Sequence, residues 1–151
     1  MNIAIESLLP VERGRVFAAL VDPSMLQRCI PGCEDLVETA ADTYAAKLKV
    51  GVAGLKGSYG GNAVIRDRRP PESLTLGFDG KGGPGFVRGS AVLRLSDRDG
   101  GTHVACDAEV HVGGLIAAIG SRLVEAAAKK LAADFFQGLA RELKEPAPGT
   151  R

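Results

Sequence analysis

Tryptophan is absent from this sequence, and aromatic residues make up only 5% of its 151 positions. This scarcity excludes an aromatic platform for stacking single-stranded nucleic acid. A formal net charge of +1 also argues against a nucleic-acid partner, because nucleic-acid-binding domains carry strongly basic patches. No stretch approaches the roughly 20 apolar residues of a membrane-spanning helix. The N-terminal residues MNIAIES lack the basic region of a signal peptide, so we expect a cytoplasmic protein.

Cysteine is also scarce, and three cysteines do not make a disulfide framework. Cys29 and Cys33 lie close together, but structural zinc needs four ligands and a redox pair usually has the spacing Cys-x-x-Cys. We expect Pro31 and Gly32 to form a turn, with both thiols packed as small apolar groups. The sequence thus predicts neither a metal site nor a bound cofactor.

The two histidines lie on one predicted strand together with two carboxylates. His103, Asp107, Glu109 and His111 share one face of that strand, where neighbouring side chains stand roughly 6.6 Å apart. This distance is too long for one metal ion unless another strand adds ligands, and the alternation is typical of a solvated sheet face. We therefore predict no catalytic residue on this strand.

The first third of the chain predicts one strand, Asn2–Leu9, followed by two short helices. The second helix has clear end signals. Asp22 is suited to the N-cap and Pro23 to the first helical position, while Pro31 keeps the residue before it out of the helical region.

The middle of the chain predicts antiparallel strands, because apolar and polar residues alternate between turn-forming segments. Asp99-Gly100-Gly101 is the clearest hairpin signal. Gly80–Gly85 matches the pattern G-x-G-x-x-G, but a strand follows it where a dinucleotide site requires a helix. We interpret Gly80–Gly85 as a long, mobile hairpin loop.

The last strand, which begins at Thr102, breaks at Gly113-Gly114 and is followed by an apolar-striped segment. The period of the apolar residues changes there from 2 to 3.6. We predict one continuous helix from Leu115 to Lys144, about 45 Å long, covering the apolar face of the sheet.

Two segments carry a family resemblance. Asp22–Leu36, DPSMLQRCIPGCEDL, and Gly101–Leu139, with its Gly-Leu break, Ala-x-x-Gly-x-Arg helix start and Phe-Phe pair, match family signatures. The sequence resembles the CoxG family, which is named for a component of carbon monoxide dehydrogenase. This family belongs to the START-like, Bet v 1-like (SRPBCC, polyketide cyclase) helix-grip superfamily.

The resemblance implies an α+β helix-grip fold, in which a seven-stranded antiparallel sheet surrounds a long C-terminal helix and encloses a hydrophobic tunnel. We expect this domain to span residues 1–145, followed by a loose tail, residues 146–151. The resemblance also implies an accessory role for a molybdenum-containing carbon monoxide dehydrogenase or related hydroxylase. Longer family members carry a C-terminal extension associated with membrane attachment, so for this sequence we expect membrane contact to be at most peripheral.

An apolar ligand is therefore expected inside the sheet. Many residues on the predicted inward faces are small, which leaves either close packing or a dry void. The small residues are Ala46, Gly61, Ala63, Gly89, Ala91, Ala108 and Ala127. The predicted cavity residues are Tyr44, Leu48, Tyr59, Leu76, Phe78, Ala91, Leu93, Cys106, Ile119, Leu123 and Phe135. The two tyrosine hydroxyls are candidates for holding a polar head group, and Gly80–Gly85 and Asp22–Cys33 are candidates for the mouth.

Three functions remain open at this point. The first is a non-catalytic carrier for a lipid-like or quinone-like molecule. The second is a cyclase/dehydratase-type enzyme, which requires an acid–base residue inside the cavity, such as His111 or Asp107 in an inward register. The third is a protein-docking adaptor with a filled core. Arg66, Arg68 and Arg69 are interpreted as a solvated turn, with contact to anionic lipid as the alternative.

Overall fold

The computed structural model describes residues 1–52 and 54–144. The elements in chain order are β1 (Asn2–Leu9), α1 (Arg13–Leu20), α2 (Pro23–Cys29), β2 (Cys33–Ala40), β3 (Thr43–Val50), β4 (Gly57–Arg69), β5 (Ser73–Gly82), β6 (Gly85–Arg98), β7 (Gly101–Gly113), α3 (Leu115–Ala118) and α4 (Ser121–Lys144). The predicted tail, residues 146–151, lies outside the described residues.

All seven strands form one antiparallel sheet in the order β1-β7-β6-β5-β4-β3-β2. From β2 to β7 each strand pairs with the next, which confirms the predicted meander, and β1 pairs with β7 at the other side. The β6–β7 hairpin turns at Asp99 and Gly100, both with positive φ. Two such residues are the backbone signature of a tight hairpin turn, as the sequence predicts.

The two short helices connect β1 to β2 and pack against the C-terminal part of α4. Asp22 Oδ1 accepts a hydrogen bond from Ser24 N at 3.0 Å, which confirms Asp22 as the N-cap of α2. Arg28 Nε donates to Glu142 Oε1 of α4 at 2.6 Å. From α1, Arg15 Nη2 donates to the Leu143 carbonyl at 2.6 Å, so both short helices are tied to the end of α4.

The predicted single helix over Leu115–Lys144 is wrong at its start. Gly120 has a φ of +94°, which ends the short helix α3 and separates it from α4. Only a residue without a Cβ adopts this left-handed conformation at little cost. The long helix is therefore α4 alone, about 36 Å long, and α3 turns away at the edge of the sheet.

The predicted loop over Gly80–Gly85 is also corrected. Strand β5 continues to Gly82 and β6 begins at Gly85, and these two glycines pair directly. Only Gly83 and Pro84 connect the strands. Glycine persists in the strands here because a Cβ on Gly82 would lie 2.0 Å from the Ser58 carbonyl oxygen of β4, closer than any real contact. The segment is a paired hairpin rather than a long loop.

Candidate functional site

The inner face of the sheet is apolar and its outer face is polar. On β7, Val104 and Val110 are buried, whereas Asp107, Glu109 and His111 are exposed. Asp107 Oδ2 lies 2.9 Å from Arg94 Nη1 on the same outer face. The polar residues of β7 therefore point away from the interior, and this strand does not supply the acid–base group that the enzyme hypothesis requires.

His103 also belongs to the outer face. Its Nε2 lies 3.0 Å from Glu6 Oε1 of β1. Within residues 1–52 and 54–144, no three His, Cys, Asp or Glu side chains come together in a group able to hold a metal ion.

The interior is divided into two apolar clusters rather than one continuous core. The larger cluster joins α1, the ends of β1 and β7 and the C-terminal half of α4, and it includes the fully buried Val16 and Leu139. The smaller cluster lies at the opposite end of α4 and contains Leu55, Ile116, Val124 and Ala127. We call these the large and the small cluster below.

The residues between the clusters leave part of the concave face unfilled. Ala46 and Leu48 alternate with exposed Lys47 and Lys49, so they point inward with the buried Tyr44. Both remain partly exposed, and neither belongs to either cluster. Ala63 of β4 has the same character. We call Ala46, Leu48 and Ala63 the gap residues.

The predicted cavity residues are distributed unevenly over these features. Seven belong to the large cluster or pack against it, and they are Tyr44, Leu76, Phe78, Ala91, Leu93, Cys106 and Phe135. Tyr59 and Ile119 pack against the small cluster, and Leu48 lies at the gap. Leu123 is 58% exposed and points to solvent, because the break at Gly120 places Val124 rather than Leu123 on the inward stripe.

An open cleft of about 680 Å³ lies beside the small cluster. Its lining comes from the β3–β4 loop, the start of β4, the β5–β6 turn and α3, namely Gly54, Lys56, Gly57, Ser58, Gly83, Pro84, Leu115 and Ile119. Of the predicted cavity residues, only Ile119 lines this cleft. Sequence reasoning missed the others because they lie on three separate turns, and only Gly83 and Pro84 fell within the predicted mouth.

The second predicted mouth segment, Asp22–Cys33, contributes no residue to the cleft lining. Its helix α2 instead packs along the C-terminal part of α4, where Cys29 backbone and side-chain atoms lie 3.7–3.8 Å from a Cβ built on Gly138. These two segments thus lie at different places on the molecule.

Both tyrosine side chains have contacts within the protein. The Tyr59 hydroxyl donates to the Leu55 carbonyl at 2.6 Å, which ties β4 to the loop beside the cleft. Burial raises the pKa of Tyr59. The pKa of Tyr44 is raised by burial and by the carboxylates of Glu38 and Asp42. The hydroxyl of Tyr59 is therefore occupied, in contrast to the predicted role as a head-group ligand.

The three cysteines are free thiols with raised pKa values. Burial is the main cause for each, and the Asp107 carboxylate adds to it at Cys106. A raised pKa leaves less reactive thiolate at neutral pH. This agrees with cysteines that pack as small apolar groups.

The arginines of β4 do not act as one patch. Arg68 pairs with Asp42. Arg69 instead lines a shallow polar groove on the outer face, together with Glu72, Ser73 and Arg94. Acidic and basic groups are mixed at this surface, as expected for a solvated turn.

The raised pKa values predict that alkali destabilises the protein. Cys29, Cys33, Cys106, Tyr44 and Tyr59 hold their protons more tightly when folded. Above pH 9.0 for the thiols and pH 10.0 for the tyrosines, the unfolded chain releases protons that the folded chain keeps. The free energy of unfolding therefore falls as the pH rises through this window.

Urea unfolding at neutral pH and above pH 10.0 measures this effect. The urea midpoint should decrease with alkali, and it should decrease less in Tyr59→Phe, which lacks one of the titrating groups. Equal midpoints at both pH values would contradict the prediction.

The sequence profile of the carbon monoxide dehydrogenase family CoxG matches residues 9–144. The chain belongs to this CoxG family. No protein with a curated description matches the chain significantly. No helix of the described residues of this CoxG-family protein is long and apolar enough to cross a membrane.

Solved structures agree with this assignment. The crystal structure of a conserved protein from Geobacillus kaustophilus is 36% identical, with a TM-score of 0.91 and 95% of each chain covered. Protein CV1439 from Chromobacterium violaceum is 14% identical, with a TM-score of 0.72 and coverage of 96% of this chain and 99% of that one. The Bet v 1-like Ara h 8.0201 is 15% identical, with a TM-score of 0.68 and coverage of 95% and 97%. The CoxG-family chain thus has the helix-grip fold.

Proposed function

We propose that this CoxG-family protein is a carrier that holds a lipid-like or quinone-like molecule between the sheet and α4. The single observation that supports the proposal is the unfilled part of the concave face at the gap residues Ala46, Leu48 and Ala63. Apolar surface left in contact with water is unfavourable, and an apolar guest would remove it from water. The residues around the gap are alanine, leucine and glycine, so the guest needs no strong polar group at this position.

We further propose an accessory role beside a carbon monoxide dehydrogenase-type molybdenum hydroxylase, in the cytoplasm and with at most peripheral membrane contact. The family's description supports this partner. Around the cleft, Leu115 is 71% exposed and Phe86 is 43% exposed, and both lie on segments that meet at Gly113 and Gly114. Such apolar groups on the surface are suited to contact with a partner.

Native mass spectrometry of the purified protein tests the carrier proposal. We expect a fraction of the protein to carry a co-purified apolar molecule. After this molecule is extracted, the fluorescent fatty acid cis-parinaric acid and its neutral methyl ester should both bind in a saturable manner. A short-chain quinone should displace them. Absence of both a co-purified molecule and saturable probe binding would contradict the proposal.

A further inference from the structure

We propose that α3 is a hinged strap that controls passage between the cleft and the interior. The inference rests on the proposed carrier function, because it describes how the ligand reaches the gap residues. In the structure the strap is closed. Its opening would join the 680 Å³ cleft to the space beneath the sheet.

The two ends of α3 have the backbone of a hinge. Gly114 has a φ of +73° and Gly120 a φ of +94°, so a left-handed glycine lies on each side of a four-residue helix. A Cβ built on Gly120 meets no heavy atom within 4 Å. Glycine at position 120 is therefore required by its backbone conformation and not by crowding, and this leaves the segment free to turn about it.

The contacts of α3 explain what holds the strap closed. The Ile116 side chain is fully buried in the small cluster. The Ile116 amide donates to the Pro84 carbonyl of the β5–β6 turn at 3.0 Å. On the other side, Ile119 Cδ1 lies 2.7 Å from a Cβ built on Gly54 of the β3–β4 loop. The strap thus bridges the two turns that form the cleft walls, with Ile116 as its plug.

The sequence also favours a second conformation for this segment. Its apolar pattern is that of one continuous helix from Leu115 onward, and only Gly120 interrupts it in the structure. Ile116 precedes Val124 by eight residues and Ala127 by eleven, spacings that share one helical face. If Gly120 adopts helical angles, α3 continues into α4 and the Ile116 amide leaves Pro84. We assign this continuous helix to the open state.

The substitution Gly120→Ala tests the strap with a predicted sign. Alanine disfavours the left-handed hinge and favours the helix, so it should shift the segment toward the open state. We expect cis-parinaric acid to associate and dissociate about tenfold faster than with the unmodified protein in stopped-flow fluorescence. The matched control is Gly100→Ala in the β6–β7 hairpin. Gly100 also has a positive φ, +80°, and open space around its Cβ position.

Amide hydrogen exchange gives a readout that needs no ligand. Exchange at Ile116 and Ile119 should be faster in Gly120→Ala than in Gly100→Ala. Ile116→Ala, which keeps both hinges and removes most of the plug, should also speed probe uptake. Uptake and exchange that are unchanged or slower in Gly120→Ala would overturn the strap. A protein that binds neither probe, yet shows the faster exchange, would contradict the carrier proposal and leave the hinge in place.

Discussion

Replacing Ala46 with phenylalanine should abolish binding of cis-parinaric acid with little change in stability. Ala46 points inward, is partly exposed and lies outside both apolar clusters, so a larger side chain should occupy the gap itself. Its cross-strand neighbours are Leu36 and Gly61, and Gly61 has no side chain to clash with a ring. Probe titration and urea unfolding of the same samples measure both effects.

Ala91→Phe is the matched control on the same sheet face. Ala91 is buried in the large cluster, where the added volume should overpack the core and cost about 1–3 kcal/mol of unfolding free energy. If Ala46→Phe is destabilised as strongly as Ala91→Phe, the gap is closed by packing. If Ala46→Phe binds the probe normally, the ligand lies elsewhere.

The substitution Leu139→Ala should cause the largest loss of stability among single substitutions in α4. Leu139 is fully buried in the large cluster. Removing a buried leucine side chain to alanine costs about 2–5 kcal/mol, because the transfer free energy and the cavity left behind add together. The measurement is the free energy of unfolding from urea titrations.

Leu123→Ala is its control on the same helix. The Leu123 side chain is 58% exposed, so its removal should change the unfolding free energy by no more than about 0.5 kcal/mol. The pair also tests the helix break. In a continuous helix from Leu115, the apolar stripe predicted from sequence includes Leu123, and the two substitutions would then have similar effects.

Local signals in the sequence were strong enough to predict several elements correctly. Asp22 caps α2, and Asp99-Gly100 turns the β6–β7 hairpin. In both cases the residue type itself determines the local backbone, through a side-chain oxygen at the N-cap or a tolerance for positive φ. The outward direction of Asp107 and His111 also followed from alternation, because a half-buried strand strongly specifies its register.

The errors arose where two local preferences compete. The residues from Leu115 to Lys144 have helical periodicity throughout, yet the contacts of Ile116 with Pro84 and of Ile119 with Gly54 hold Gly120 in a left-handed conformation. At Gly80–Gly85 the glycine content suggested a loop. Pairing with the neighbouring strands instead extended β5 and β6 almost to the turn.

The antiparallel meander, the inner and outer faces of the sheet and the presence of a covering helix could all be predicted from residue order alone. These features depend on periodicity, which each segment carries within its own residues. Where the interior is filled depends instead on long-range packing. Seven of the predicted cavity residues are part of the large cluster or pack against it, whereas Ala46 and Ala63 remain uncovered, although all are apolar residues on inward positions. The difference arises from how α4 and the short helices lie over the sheet, and this position results from contacts between residues far apart in the chain, such as Arg28 with Glu142 and Arg15 with Leu143.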